Sequence, residues 1–452
     1  MERIINEVTE ELKRDFIEFF KEGNVEIGIA EKYFTERIAE VTLKLLRICY
    51  EEADQEIREN KAARKQAGLT VERRGEKREL LTQLGRLEYR RTYYKKASGG
   101  YEYPVDEIAG VRAYERLSER VGLSLVEASL SMSYGKASRY VTNGHVSRQT
   151  VMNKIREASP RQELVEYRAV QELHIDADED HVHLRDGGTG IVPLISVYEG
   201  IERQGKRGIC RNVFHISEFG KSPLDLWEQV GDELERRYDL SNARIYLHGD
   251  GASWIRAGLE FLPNCKFVLD RYHKNKAIRQ ALSGISQKSA SQYEFQIRQA
   301  LNNGDCCRLL SIRETLLERF PERKETILDN TDYLLNNFEA ITIANRDKAA
   351  LNGGCTEPHV SHVLSSRLSS RPMGWSRETL RRFVSLLASG TATFDEVPAP
   401  EVSMYPSTAA FLKESQKRYL PGTLGLPDPD TARPFPARTN KVTPLFNALR
   451  PF

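Results

Sequence analysis

Cysteine is scarce in this chain: six in 452 residues, scattered rather than set at short regular spacings. That excludes a disulfide framework and fits a reducing compartment, so a cytoplasmic location is expected. Long apolar runs are missing too. No stretch of about 18 uncharged apolar residues exists, which excludes a helical membrane span. The opening Met1-Glu2-Arg3-Ile4-Ile5-Asn6-Glu7 turns acidic too early for a signal peptide. There is no tandem repeat. Net charge is also nearly absent, at +2.

That small sum hides strong segregation. Residues 1–60 hold 16 acids and 9 bases, and residues 61–100 hold 12 bases and 4 acids. Residues 131–156 carry five bases and no acid; residues 172–186 carry six acids and one base. Basic patches beside one concentrated acidic cluster suit a chain that holds a polyanion and a metal ion together.

Periodicity divides the chain further. Ile4, Ile5, Val8, Leu12, Phe16, Phe19 and Phe20 have helical spacing. Phe34, Ile38, Val41, Leu45 and Ile48 step 4-3-4-3, a narrow seam for packing within its own domain or for self-association. Residues 84–103 alternate, with Gly99-Gly100 as a turn, and predict a hairpin. Its aromatic and basic side chains suit either a phosphate-tracking surface or a solvated edge. Strands are expected at 170–177, 191–198, 209–217, 244–248 and 266–270, with a helix over 223–238. Residues 272–345 read as helical. The last 55 or so residues hold 10 of the 18 prolines and read as loop-rich.

Residues 131–156 suit a helix-turn-helix. A first helix spans about 133–141, Gly144 sits in the turn, and a second helix spans about 148–155. Arg148, Gln149, Thr150 and Asn153 then point outward at the start of the second helix. Arginine and the carboxamides are the side chains that read guanine and adenine edges in the major groove. The alternative is an ordinary helix corner with a basic solvated face.

The acidic chemistry lies further on. Leu173-His174-Ile175-Asp176-Ala177-Asp178-Glu179-Asp180 is an apolar strand ending in acids. Carboxylates there need neutralising, and hard oxygen donors favour Mg2+ or Mn2+. Asp250 ends a second short apolar strand between Gly249 and Gly251, where α/β sheets place their sites. Glu357 stands at a loop-to-helix entry before Pro358. Cys355, His359 and His362 have zinc-like spacing but offer only three ligands. Three carboxylates holding two divalent ions are the apparatus of phosphoryl transfer.

Together, IDADEDHVHL (175–184), LHGDGASWI (247–255), LDRYHKNKAI (269–278) and TEPHVSHVLSSRLSSRPMGW (356–375), with VSRQTVMNKI (146–155) upstream, resemble bacterial insertion-sequence transposases of the ISLre type, formerly an uncharacterised protein family. More distantly they are similar to the mutator-like transposases, which share the Asp-x-x-His seen here as Asp270 and His273. The resemblance implies an α+β multidomain chain. An RNase H-like α/β catalytic core with a helical insertion would follow a helical DNA-binding region with a helix-turn-helix. The implied division is 1–66 (helical), 67–165 (hairpin and helix-turn-helix), 166–282 (first part of the core), 283–345 (insertion), 346–395 (final core helices) and 396–452 (proline-rich tail). It also implies a DDE triad of Asp176, Asp250 and Glu357 holding two Mg2+ or Mn2+ ions, with Asp178 the competing first acid. Asp176 is preferred because it directly follows the apolar run. Asp270 and His273 would brace the site or contact DNA, and Arg367 and Arg371 would hold phosphates. The implied partners are terminal inverted repeats, target DNA and a second copy of the chain in a dimer or larger synaptic assembly. The competing expectations are an inactive relic that only binds DNA and a metal-dependent nuclease that cuts without joining.

Overall fold

The computed structural model describes residues 2–23, 26–162, 164–205 and 207–394. The proline-rich tail expected over 396–452 lies outside the described residues. The fold is mixed α/β with a helical N-terminal region. The chain divides into two compact units, one holding residues 2–131 and 135–147, the other 132–134 and 148–393.

In the first unit, helices Glu2–Lys21 and Ile27–Glu59 meet through an aromatic cluster in which Phe16 and Phe34 lie 4.1 Å apart and Phe19 stacks on Tyr33. The second helix packs within its own unit. Leu43, Leu46, Tyr50 and Ala53 cover the buried Leu87, Tyr89 and Val105.

The hairpin is longer than the alternation predicts. Strand Leu69–Thr82 pairs antiparallel with Gly85–Lys96, and only Tyr101–Glu102 returns after the Gly99-Gly100 turn. The expected single face also breaks. Leu87 and Tyr89 are buried, and then so are Thr92 and Tyr94. Two register shifts in the opposite strand, with Gly75 at φ +67°, re-aim the ladder. Buried Asp54 draws Thr92 inward, accepting its backbone N–H and its hydroxyl, each at 2.7 Å.

Helix Tyr134–Thr142 ends at a turn with Asn143 and Gly144 at positive φ, followed by helix Arg148–Glu157 in the second unit. Val151 and Ile155 of that helix are fully buried. It packs on helix Arg377–Ser389, where Arg156 pairs with Glu378 at 3.0 Å.

Five strands form the second unit's main sheet among the described residues: β1 (Glu172–His183), β2 (Thr189–Tyr198), β3 (Phe214–Ile216), β4 (Arg244–Gly249) and β5 (Cys265–Leu269). Their order is β5-β4-β1-β2-β3. β2 runs antiparallel to both of its neighbours, β1 and β3, and β4 and β5 run parallel to β1. Two sequence expectations are corrected here. The strand expected to end at 177 runs to His183 because β2 pairs with it residue for residue to Thr189. The strand expected over 209–217 is interrupted: Arg207–Cys210 closes a small hairpin, Asn212 turns at φ +52°, and β3 follows.

Apolar side chains decide which face is covered. Leu173, Ile175 and Ala177 of β1, with Ile245 and Leu247 of β4, meet helix Pro223–Arg237 through Trp227, Val230 and Leu234. Helices Gln287–Asn303, Cys306–Arg319, Lys324–Asn336 and Phe338–Arg346 extend the same core. Cys306 and Cys307 are exposed at a helix start.

Asp54→Ala strands the Thr92 N–H and hydroxyl inside the first unit. Loss of these charge-assisted bonds is expected to cost about 1–3 kcal/mol in urea unfolding. Glu56→Ala, on the exposed side of the same helix, changes stability by about 0.5 kcal/mol or less.

Candidate active site

Side chains alternate along a strand, so Asp176, Asp178 and Asp180 share the face of β1 opposite the apolar core. Their surroundings differ sharply. Asp176 is 2% exposed, and its oxygens are occupied. The Tyr198 hydroxyl lies 3.1 Å from both, and the Cys355 N–H donates to Oδ2 at 2.9 Å. His359 Nδ1 lies 3.1 Å from the same oxygen, without the alignment of a hydrogen bond. The Gly354 N–H in turn donates to Tyr198 at 2.9 Å.

Buried imidazoles surround this carboxylate. His174 Nδ1 meets His248 Nε2 at 3.0 Å, and His174 Nε2 meets Glu172 at 2.9 Å. His215 Nδ1 meets the Ser196 hydroxyl at 2.8 Å. Burial holds His174 below the usual imidazole range and pushes His215 and His248 down to about 4. The loop at Gly353 lies tight against the pair: a Cβ there would come within 2.3 Å of His174 and 2.6 Å of His248. Cys210 Sγ lies 3.6 Å from His359 Nε2. The Cys210 and Cys355 thiols share a hydrogen bond that holds Cys355 down and pushes Cys210 up.

Asp178 belongs to a different group. β4 is in register with β1, His248 opposite Asp176, so the chain leaves β4 at Asp250 near the level of Asp178. Burial raises the Asp178 carboxyl to about 6. The Asp250 charge adds to that rise, and the nearby His273 opposes it. Asp250 is half-buried, and its Oδ1 accepts the Ala252 N–H at 2.8 Å. Tyr333 fixes the Asp250 carbonyl at 2.6 Å.

Asp270 follows β5 and caps helix Arg271–Ala281, accepting N–H groups from Tyr272 and His273. His273 Nδ1 lies 3.2 Å from the same carboxylate. Asp270 lifts His273 above its usual range, aided by Asp178 and Asp250, while the His273 bond holds Asp270 low. Asp178, Asp250, Asp270 and His273 thus form one electrostatic cluster beside the carboxyl ends of β4 and β5.

The remaining candidates are dispersed. Glu357 is exposed in the first turn of helix Thr356–Val360, which packs on β1, and it is not among the charges acting on Asp178. A π-helical turn, Ser361–Ser365, continues that segment. His362 is exposed and does not join Cys355 and His359. Arg367 is buried, its guanidinium 4.9 Å from the Phe383 ring and 5.2 Å from Trp375; burial lowers its pKa. Arg371 is exposed, as are Arg148, Gln149 and Asn153, and Thr150 is half-buried. Gln149 donates to Asn153 at 3.0 Å.

A cation could be held here by only part of the expected set. Among the described residues no three His, Cys, Asp or Glu side chains are grouped as a metal cage. The donor chemistry fits at one place. Asp178 and Asp250 are hard oxygen donors whose mutual repulsion in a partly desolvated site a divalent ion would relieve. Asp176 fits poorly, because protein donors already fill its oxygens.

The buried histidines set a pH dependence. Their folded pKa values lie below 6.5, so the unfolded chain binds more protons as pH falls from about 6.5 to about 4. Stability is therefore expected to fall across that window. Asp178, raised to about 6, acts in the opposite sense, as do Asp54, Glu107, Asp180, Glu218 and His273, all raised, so the histidine contribution is isolated by comparison with a variant that lacks one of the three. Thermal unfolding between pH 7 and 4.5 should show a falling Tm in the wild type and a shallower fall in His215→Asn. Equal slopes would contradict the assignment.

Comparison with known proteins places the chain. A UPF0236 protein of Caldanaerobacter subterraneus subsp. tengcongensis is 35% identical over 461 residues, covering 98% of this chain and 95% of the relative. A second UPF0236 protein of that organism matches at 35% over 98% of this chain and 90% of its own length. The UPF0236 protein in the vanSb 3′ region of Streptococcus gallolyticus is 27% identical over 340 residues, 70% of this chain and 72% of that protein. The model of the uncharacterised protein family UPF0236 matches residues 24–400, and the chain belongs to that family.

Proposed function

We propose that this protein is a DDE transposase of an insertion sequence, of the ISLre type. It binds terminal inverted repeats and carries out phosphodiester hydrolysis and strand transfer with Mg2+ or Mn2+. The observation that carries this reading is the cluster of Asp178, Asp250, Asp270 and His273 beside a mixed sheet in which β4 and β5 run parallel to the acid-bearing β1. An RNase H-like core with a helical insertion accounts for that sheet and for the helices over 287–346.

The first acid of the triad is taken as Asp178 rather than Asp176. Asp178 faces Asp250, whereas Asp176 is tied to Tyr198 and Cys355 and positions the loop that leads to Glu357. Asp178 and Asp250 would hold the ions, with Glu357 the third acid by family resemblance. When bound, such ions activate the attacking oxygen and stabilise the leaving one. His273, whose pKa the Asp270 bond raises, would stand beside the reacting phosphate and favour its negative charge. Water attacks the phosphodiester at the element end and releases a 3′ hydroxyl. That hydroxyl attacks a target phosphodiester in line, one P–O bond forming as another breaks, with no covalent enzyme intermediate. Helix Arg148–Glu157 offers Arg148, Gln149 and Asn153 to DNA as the second helix of a helix-turn-helix, and two or more copies would assemble on paired ends.

The test is strand transfer in vitro, using a pre-cleaved element-end duplex, a plasmid target and Mg2+ or Mn2+. Wild type should join the two. Asp178→Asn, Asp250→Asn and Glu357→Gln should each lose about 100-fold or more, the scale of removing one charge-stabilising group. Asp176→Asn should lose less activity and more stability. Joining that survives Asp178→Asn but not a folded Asp176→Asn would restore Asp176 as the first acid. End binding without cleavage or joining would favour a DNA-binding relic, and cleavage without joining a nuclease.

A further inference from the structure

The hairpin unit contains a cleft of about 500 Å³ lined by Lys77, Arg78, Arg86, Arg91, Arg116 and His145. Strand pairing creates it. Arg78 and Arg91 lie on opposite strands of the long hairpin, two register positions apart, since Arg78 pairs with Tyr89 and Arg91 with Glu76. Arg116 is brought alongside by the bond from the Leu81 N–H to its carbonyl.

Two of these cations are buried without full compensation. Arg78 is 9% exposed and the Arg91 side chain 11%. Neither Nε has a hydrogen-bond acceptor. Both lean on the single carboxylate of Asp106, Arg91 through a direct ion pair and Arg78 at 3.8 Å, and that carboxylate also accepts the Tyr89 hydroxyl at 2.8 Å. Arg78 Nη2 finds one further acceptor, the Arg112 carbonyl at 3.1 Å. Glu76 is taken up by the Tyr103 hydroxyl and Arg73. The Arg91 guanidinium lies 3.5 Å over the Tyr103 ring. At the rim, Lys77 pairs with Glu88 at 2.8 Å and Arg86 with Glu79. Such exposed pairs are weak and exchange readily for a stronger anion.

Two guanidiniums that share one carboxylate stand in the cleft with three further cations, Lys77, Arg86 and Arg116, against Glu79 as the one carboxylate of the lining. Guanidinium forks match the oxygens of a phosphate. The geometry points to a phosphate-binding cleft in the hairpin unit that takes a backbone phosphate of DNA. The choice of DNA as the source rests on the function proposed above. The contact carries no base sequence information; it fixes register along the backbone.

The test uses the full chain in EDTA, so that strand chemistry does not enter. Binding of a fluorescent duplex of about 20 base pairs is measured by anisotropy at several KCl concentrations. Variants are Arg116→Ala, at the exposed rim, and Arg91→Lys, which keeps the charge and removes the fork, with circular dichroism melting to check folding. Direct titration with inorganic phosphate, followed by 31P NMR, tests the free anion. The expected result is weaker duplex binding in both variants. In Arg116→Ala, the slope of log K against log salt should be shallower by about 0.9, one backbone contact. Phosphate alone should bind weakly, and more weakly still in Arg91→Lys. Wild-type affinity and slope in both variants would overturn the inference. So would tight phosphate binding with duplex affinity unchanged in folded Arg91→Lys, which would assign the cleft to a free anion. A chain that binds DNA through the cleft but never joins strands leaves this inference standing and removes the transposase reading. A joining-active chain whose variants bind normally does the reverse.

Discussion

A carboxylate buried in the middle of a sheet has to be satisfied, and the way Asp176 is satisfied organises the second unit. Its partners come from distant parts of the chain: Tyr198 on the neighbouring strand, and the Cys355 N–H and His359 ring from the last loop and helix. Through Tyr198 and the Gly354 N–H, the same carboxylate anchors the loop that enters helix Thr356–Val360. Losing one partner of such a bond leaves a desolvated charge, so the loop has little freedom to leave the sheet. Glycine at 353 follows from the same constraint, because any side chain there would collide with the stacked His174 and His248.

This arrangement divides labour among three aspartates on one strand face. Asp176 is a tie, enclosed by donors and by imidazoles. Asp180 is a second tie, accepting the Ser369 hydroxyl at 2.9 Å. Asp178 lies between them beside Asp250 and His273; burial, with the Asp250 charge, raises its pKa against the N–H that Glu179 donates. Spacing makes the three acids equivalent; their neighbours do not. Burial raises Asp180 as well, so the neighbouring Asp250 charge, rather than the raised pKa itself, sets Asp178 apart.

Much of the fold was legible in the sequence because it rests on local patterns. The apolar runs of β2, β4 and β5, and the amphipathic helix Pro223–Arg237, stand near their expected places. Two errors share a cause. Strand Leu69–Thr82 is charged on both faces and broken by Gly75, so it shows no alternation. The acids after Ala177 look like a turn although β2 holds them in a ladder to His183. The candidate site was legible in its residue types and in Asp250 and Asp270, which follow strand ends, with His273 in the first turn of the helix that Asp270 caps. The partition between Asp176 and Asp178 was not, because Tyr198, His215, His248, Cys210 and Cys355 meet only in three dimensions. Arg367 shows the same limit: its aromatic enclosure joins residues far apart in sequence.

The most direct test of the central claim, that Asp178 and Asp250 hold the divalent ion, is iron-directed cleavage. Fe2+ replaces Mg2+, hydroxyl radicals are generated with ascorbate and peroxide, and the fragments are mapped by mass spectrometry. The account predicts backbone cuts clustered around Asp178 and Asp250, suppressed by excess Mg2+ and lost in Asp178→Asn. Cuts confined to the neighbourhood of Cys210, Cys355 and His359, or cuts that persist in Asp178→Asn and vanish in a folded Asp176→Asn, would contradict it.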